Sequence, residues 1–207
     1  MVVETVFIQT IDGVEIEADI IRTDAVTPRA VVIIGHPHPL YGGDRHSHVV
    51  RALQEAASQA DCHSIAIDFR GVGNSGGFHD DGDSERLDLA AACELADMIE
   101  PECPIIMSGY SFGSVVAMNV SNPWIAAWLS IAPPTSLMTS SVAANNHRPK
   151  IIVMAEHDQI TTPNAIREAM SEWDNVHFID APGVDHFFAV DALAISTNAL
   201  QCALENI

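Results

Sequence analysis

Five short runs, "AVVIIGH", "SIAIDF", "PIIMSGY", "WIAAWLSIAP" and "KIIVMAE", are apolar at nearly every position and recur between residues 30 and 156. A strand with one face in water alternates apolar and polar residues, so runs this continuous require burial on both faces. The stretches between them have helical spacing. In "SHVVRALQEAASQA" the residues Val49, Val50, Leu53, Ala56, Ala57 and Ala60 share one face, and in "DSERLDLAAACELADMIE" Leu87, Ala91, Leu95 and Met98 do. Acids at the start of the second stretch suit a helix N-terminus. Pro163 is read as opening a helix that runs through Trp173, and Asp191 one that runs to the C-terminal residues. "VHFIDA" is a weaker last strand. Alternation of this kind predicts an α/β protein: a mostly parallel, twisted sheet with helices on both faces. The N-terminal "VETVFIQTIDGVEIEADIIR" differs. It reads as an antiparallel hairpin at the sheet edge, turned tightly at Asp12-Gly13, with one buried face in "VEIEADI".

With 207 residues, 48% of them hydrophobic, the chain can bury one sizeable core, and a single domain over residues 1–207 is expected. Its 28 acids against 9 bases give a net charge of -19, and Lys150 is the only lysine. Such a surface repels phosphate backbones and anionic lipid, so nucleic acid and membranes are excluded as expected partners, while a homodimer stays open. Acidic, lysine-poor surfaces also stay soluble in salt. Cys62, Cys93, Cys103 and Cys202 form no CxxC and no framework spacing, and read as small core hydrophobes in a reducing compartment. No basic segment precedes an apolar one at the N-terminus, and no apolar run reaches about 18 residues. A soluble, cytoplasmic protein is the expectation.

"GYSFG", Gly109 to Gly113, fits G-x-S-x-G between the run "PIIMSGY" and the small-residue stretch "FGSVVAMNV". A serine on a sharp strand-to-helix turn adopts a strained backbone, so the positions two residues either side must be nearly free of side chain. The turn presents the Ser111 hydroxyl at a helix N-terminus. A hydroxyl attacks only when a base takes its proton and an acid orients the base. In a parallel sheet both come from loops at the carboxyl ends of later strands. Asp158 follows "KIIVMAE" and His186 follows "VHFIDA", giving the chain order Ser111, Asp158, His186 that α/β-hydrolases use. Glu156 and Asp185 are nearby alternatives for the acid, and His157 and His177 read as a loop residue and a strand-surface residue. The N–H of Phe112, the residue after the serine, is one expected oxyanion donor. The other comes from "AVVIIGHPHPLYGGDRHSH"; Pro37 and Pro39 carry no N–H, which leaves His38, favoured, or Leu40.

Two further patterns compete with this one. His36, His38, His46 and His48 crowd one loop, but His46 and His48 do not share a helix face and only Asp44 stands near to complete a set, so no metal is expected. Gly71, Gly73 and Gly76 satisfy G-x-G-x-x-G, yet "GGFHDDGDSE" runs on polar where an apolar helix should begin, so no dinucleotide or other cofactor is expected. That loop reads instead as tied to its neighbours by Asp68 and Arg70.

On "HPHPLYGG", "DFRGVGNS", "GYSFG", "HD" before "QITTP", and "GVDHFF", the chain resembles the α/β-hydrolase superfamily, and within it the small, lidless dienelactone-hydrolase-like hydrolases of bacteria. The resemblance spans roughly residues 5–205. It implies the α/β-hydrolase fold and a Ser-His-Asp mechanism, with Ser111, Asp158 and His186 on the triad positions. Dienelactone hydrolases carry cysteine as nucleophile, and Ser111 departs from that, which argues against dienelactone as substrate. A lid in this fold usually follows the strand "WIAAWLSIAP"; here only "PTSLMTSSVAANNHR", residues 134–148, stands there, too short for a cap domain. Loop side chains should therefore wall the acyl pocket, with Leu40, Tyr41, Phe112, Met138 and Phe187 as candidates. The function expected is hydrolysis of small carboxylic esters by a serine esterase. A peptidase or amidase of the same fold, or a non-catalytic binding protein that kept it, are the alternatives.

Overall fold

The computed structural model describes residues 2–138 and 141–207. Eight strands form one sheet: β1 (Val3–Gln9), β2 (Glu15–Ile21), β3 (Val31–Gly35), β4 (His63–Ile67), β5 (Ile105–Tyr110), β6 (Ile125–Ile131), β7 (Lys150–Ala155) and β8 (Val176–Ala181). Their order is β1-β2-β4-β3-β5-β6-β7-β8. β1 and β2 pair antiparallel, β2 meets β4 antiparallel, and every other pairing is parallel. Among the described residues, five α-helices accompany the sheet: α1 (His48–Gln59), α2 (Glu85–Ile99), α3 (Phe112–Ala117), α4 (Pro163–Ala169) and α5 (Ala192–Glu205).

The continuous apolar runs are the buried strands, and each side chain alternates between two cores. Val31, Ile33, Ile65, Ile105 and Met107 point to the layer of α2, α3 and α4. Val32, Ile34, Ala66 and Ile106 point to the layer of α1 and α5. Val49, Val50, Leu53, Ala56 and Ala57 of α1 are fully buried there, each valine or leucine adding roughly 1.5–3 kcal/mol over an exposed one. Cys62, Cys93 and Cys103 are buried and Cys202 is half-buried, all as free thiols held above their ordinary pKa by burial. Among the described residues, no helix is long and apolar enough to cross a membrane.

Four local expectations are corrected. Asp12-Gly13 does not make a two-residue turn: strand pairing ends at Gln9 and Glu15, and only Gly13 has positive φ, +82°. The Thr10 hydroxyl and amide bond Asp12 and Val14 across the wider loop. β2 is buried on both faces, because Glu17 and Asp19 turn inward onto Arg45, which also meets Asp68. On α2 the inward face is Asp88, Leu89, Ala92, Cys93 and Ala96; of the expected residues Ala91 is buried and Leu95 packs against the core, while Met98 is exposed. Asp88 is drawn in by Arg70, whose Nε and Nη2 donate to it at 3.0 and 2.7 Å, so a charge sits where apolar periodicity had pointed outward. Finally, α4 ends at Ala169 rather than Trp173, with Thr162 accepting the Ala165 N–H at its start.

The chain leaves β3 towards β4 on one side and reaches β5 on the other. Neighbouring strands whose connections diverge open a crevice at their carboxyl ends. The loop with His38 and the turn with Ser111 flank that crevice.

Candidate active site

Ser111 sits between β5 and α3 with φ 53° and ψ -122°, a conformation L-residues rarely take. The turn holds it there: its N–H donates to Ile131 O at 2.8 Å, and its carbonyl accepts from the Ser114 amide at 3.0 Å and the Ser114 hydroxyl at 2.6 Å. The flanking glycines are required sterically. A Cβ on Gly109 would lie 2.3 Å from the Gly113 carbonyl, and one on Gly113 2.4 Å from the carbonyl oxygens of Gly35 and His36.

Ser111 Oγ lies 3.0 Å from His186 Nε2, and His186 Nδ1 lies 2.7 Å from Asp158 Oδ2. Three loops, after β5, β7 and β8, therefore bring the serine, acid and histidine into one line. Asp158 is screened from solvent, and its other oxygen accepts the N–H groups of Ile160 and Thr161 at 2.8 and 2.9 Å. With that carboxylate on Nδ1, the imidazole carries its proton there and offers a lone pair at Nε2 to the hydroxyl. The alternative acids are engaged elsewhere: Glu156 accepts from Gly183 N and Asp185 from Phe187 N.

The loop after β3 divides its histidines by task. His36 is fully buried; its Nδ1 donates to Pro37 O at 2.6 Å and its Nε2 accepts the Phe69 N–H at 3.0 Å. Burial pushes its pKa down to about 4. Above the ordinary value of 6.5 the ring is neutral folded or unfolded; between 6.5 and 4 only the unfolded chain gains the proton, so stability falls over that window. The full loss is about 3 kcal/mol from this one ring. Urea midpoints at pH 7 and pH 4.5 should draw closer together in His36→Gln than in the parent. An identical pH dependence in both would refute the assignment.

His38 heads a short 3₁₀ turn, Pro39–Tyr41, and its Nδ1 accepts the Leu40 N–H at 3.3 Å. That engages the Leu40 amide, while the His38 amide has no acceptor among the described residues. Phe112, first residue of α3, likewise has no acceptor within its helix. The His38 ring packs 4.9 Å from both Phe112 and His79. His46 is exposed at the surface, and His48 Nε2 donates to Phe187 O at 2.7 Å.

A cavity of about 510 Å³ opens beside Ser111, lined by His38, Tyr41, Gly43, His48, Ile160, His186 and Phe187 among others. Of the candidates from sequence, Tyr41 and Phe187 line it. Leu40 and Met138 do not: Leu40 is 71% exposed, and Met138 packs half-buried against the core. Phe112 and Leu137 instead line a second cavity of about 360 Å³ behind the turn. Residues 139 and 140, part of the short stretch read as too small for a cap, lie outside the described residues.

Sequence reasoning missed three contributors. The buried Tyr110 hydroxyl donates to His186 O at 2.8 Å, and burial raises its pKa so that it remains a donor. His48 holds the next carbonyl of the same loop. Glu85, fully buried, accepts from His79 Nδ1, Asp80 N and Gly82 N and so packs His79 against His38 and Phe112. Tyr110 stands inside "GYSFG" itself, where a hydroxyl on a buried side chain signals a partner.

The model of the Hydrolase_4 family, described as serine aminopeptidase, S33, matches residues 26–133, which is 108 of the 207. The chain belongs to this family. The matched stretch of the hydrolase contains His38 and Ser111 and ends before Asp158 and His186. The hydrolase is 27% identical to an α/β serine hydrolase homologue from Coxiella burnetii, over 98% of both chains, with a TM-score of 0.88. It shares its fold with XC6422 from Xanthomonas campestris, described as an α/β serine hydrolase without a lid, at 23% identity, TM-score 0.88, and 98% and 94% of the two chains. An uncharacterized protein of Rickettsia prowazekii is 29% identical over 79% of this chain and 74% of its own.

Proposed function

We propose that this α/β hydrolase is a serine esterase acting on small carboxylic esters through an acyl-enzyme. The observation that carries the reading is the Ser111–His186–Asp158 line at 3.0 and 2.7 Å. Ser111 Oγ attacks the ester carbonyl while His186 Nε2 takes its proton. The tetrahedral oxyanion is held by the N–H groups of Phe112 and His38. His186 then gives the proton to the alcohol oxygen as the C–O bond breaks, leaving the acyl group on Ser111. Water repeats the cycle to release the acid. Asp158 keeps the proton on Nδ1 and stabilises the imidazolium.

An amide substrate is the second reading, favoured by the family's description as aminopeptidases. Such an enzyme holds the substrate's ammonium with a carboxylate, and no Asp or Glu is among the described residues lining the cavity beside Ser111. That favours the ester. The test is turnover of p-nitrophenyl acetate beside Ser111→Ala, with a phosphonate probe to locate the nucleophile. An adduct on any other residue would sink the assignment.

Acyl length supplies a second test. The stretch between β6 and β7 that holds residues 134–148 is too short for a cap over the acyl chain, so acyl methylenes beyond the loops around Ser111 gain none of the roughly 0.8 kcal/mol that burying each one brings. Along a p-nitrophenyl series from acetate to palmitate, kcat/KM should be flat or falling past about six carbons. A maximum at palmitate would mean a deep tunnel that these loops do not provide.

A further inference from the structure

We propose that the cavity beside Ser111 is a ring-binding subsite for the alcohol half of the ester, so that the substrate class is uncharged esters of benzyl-type alcohols. The inference rests on the esterase reading. Its independent observation is the placing of aromatic side chains. Tyr41 is 87% exposed and Phe187 62%, and both border this one cavity. The Tyr41 ring leans on His38 at a centroid distance of 4.9 Å, and the Phe187 ring stands at 89° to His186 at 5.8 Å. Each ring thus touches an imidazole and keeps most of its surface uncovered. Large apolar rings left uncovered around a single cavity mark a ligand site. Gly42 and Gly43 line the same cavity and add no side chain to it. A flat ring can therefore enter and make the offset or edge contacts that aromatic pairs favour.

The mechanism assigns the side. His186 must deliver its proton to the departing oxygen, so that oxygen lies on the His186 side of the intermediate. The cavity runs from His38 past Ser111 to His186 and Phe187, and we assign its His186 end to the alcohol's substituent. Charge narrows the class further. No Lys, Arg, Asp or Glu is among the described lining residues, and the surrounding protein carries a net charge of -19, which disfavours an anionic alcohol.

The experiment compares kcat/KM of the full chain for benzyl acetate and cyclohexylmethyl acetate, which share the acyl group and differ in the flatness of the ring. The expected ratio is about two- to tenfold in favour of benzyl. Tyr41→Leu and Phe187→Leu keep apolar bulk without the ring; each should lower the ratio, and the double variant should bring it to about one. Phe78→Leu, at a residue 88% exposed and outside the cavity, should leave the ratio at its parent value. On the acyl side, methyl phenylacetate and methyl cyclohexylacetate should differ little. A ring preference on the acyl side alone would overturn the assignment of this cavity to the alcohol. Ser111-dependent turnover with a benzyl ratio at or below one would overturn the ring subsite and leave the esterase intact. No Ser111-dependent turnover of any of the four esters would overturn the esterase reading and this inference with it.

Discussion

Ser111→Ala and His186→Ala are each expected to lower kcat on p-nitrophenyl acetate by at least about 10⁴-fold, with the double variant little worse than either. The proposed mechanism makes the two residues one unit: a serine without its base keeps its proton, and a base without its serine has nothing to activate. What survives is catalysis by the oxyanion donors and by binding, which neither substitution touches. Asp158→Asn is the sharper probe. One Asp158 oxygen accepts two backbone N–H groups, from Ile160 and Thr161, at 2.8 and 2.9 Å. An asparagine must keep its carbonyl oxygen on that side, because its amide nitrogen cannot accept them. The –NH₂ then faces His186 Nδ1 and forces the proton to Nε2, where the ring cannot take a proton from Ser111. The expected loss is again about 10⁴-fold, with folding preserved. Measured losses that simply multiply in the Ser111→Ala, His186→Ala double variant would contradict a shared step.

The parallel sheet was legible because burial on both faces leaves a pattern that few other arrangements tolerate. Val31 to Gly35 and Ile105 to Tyr110 are buried at every position. The serine, acid and histidine could be placed in advance for a related reason: each follows a recognisable buried strand, and the fold puts those loops at one end. Helix faces were less readable. Apolar spacing selected Leu87, Ala91, Leu95 and Met98 on α2; Ala91 and Leu95 do meet the core, but Met98 is exposed and the helix turns on Asp88, whose partner Arg70 lies in the loop after β4. The same holds for β2, where Glu17 and Asp19 look like solvent-facing acids until Arg45 arrives from the loop before α1. Pairings between distant segments leave no period in a single sequence. The supports of the His186 loop were hidden the same way, since Tyr110 and His48 reach it across 76 and 139 residues. Pocket residues were the least legible. Tyr41 and Leu40 are neighbours in one short turn, and only the turn's geometry decides that Tyr41 faces the cavity.

Gly113→Ala is expected to destabilise the fold by at least about 3 kcal/mol and to lower the activity of whatever folded protein remains by about 10²-fold or more. The cost arises where α3 crosses β3. A methyl at Gly113 would lie 2.4 Å from two backbone oxygens, those of Gly35 and His36, and 2.5 Å from the Gly35 carbonyl carbon. No rotamer relieves a clash with main chain, so α3 must move away from β3. Gly35 cannot yield, because its own side-chain position is closed by Gly113 and by Phe69 Cζ at 3.0 Å. Moving α3 carries Phe112 N–H and the Ser111 turn with it, away from His38 on one side and His186 on the other. Gly13→Ala supplies the comparison. It forces an L-residue into φ +82° but meets nothing within 4 Å, so its cost is backbone strain alone, about 1 kcal/mol, with activity retained. Urea denaturation and kcat/KM of the two variants separate a position that needs glycine for its φ from one that needs it for close approach. Equal losses of stability in both, with Gly113→Ala still active, would mean that α3 can back away from β3 without disturbing the serine.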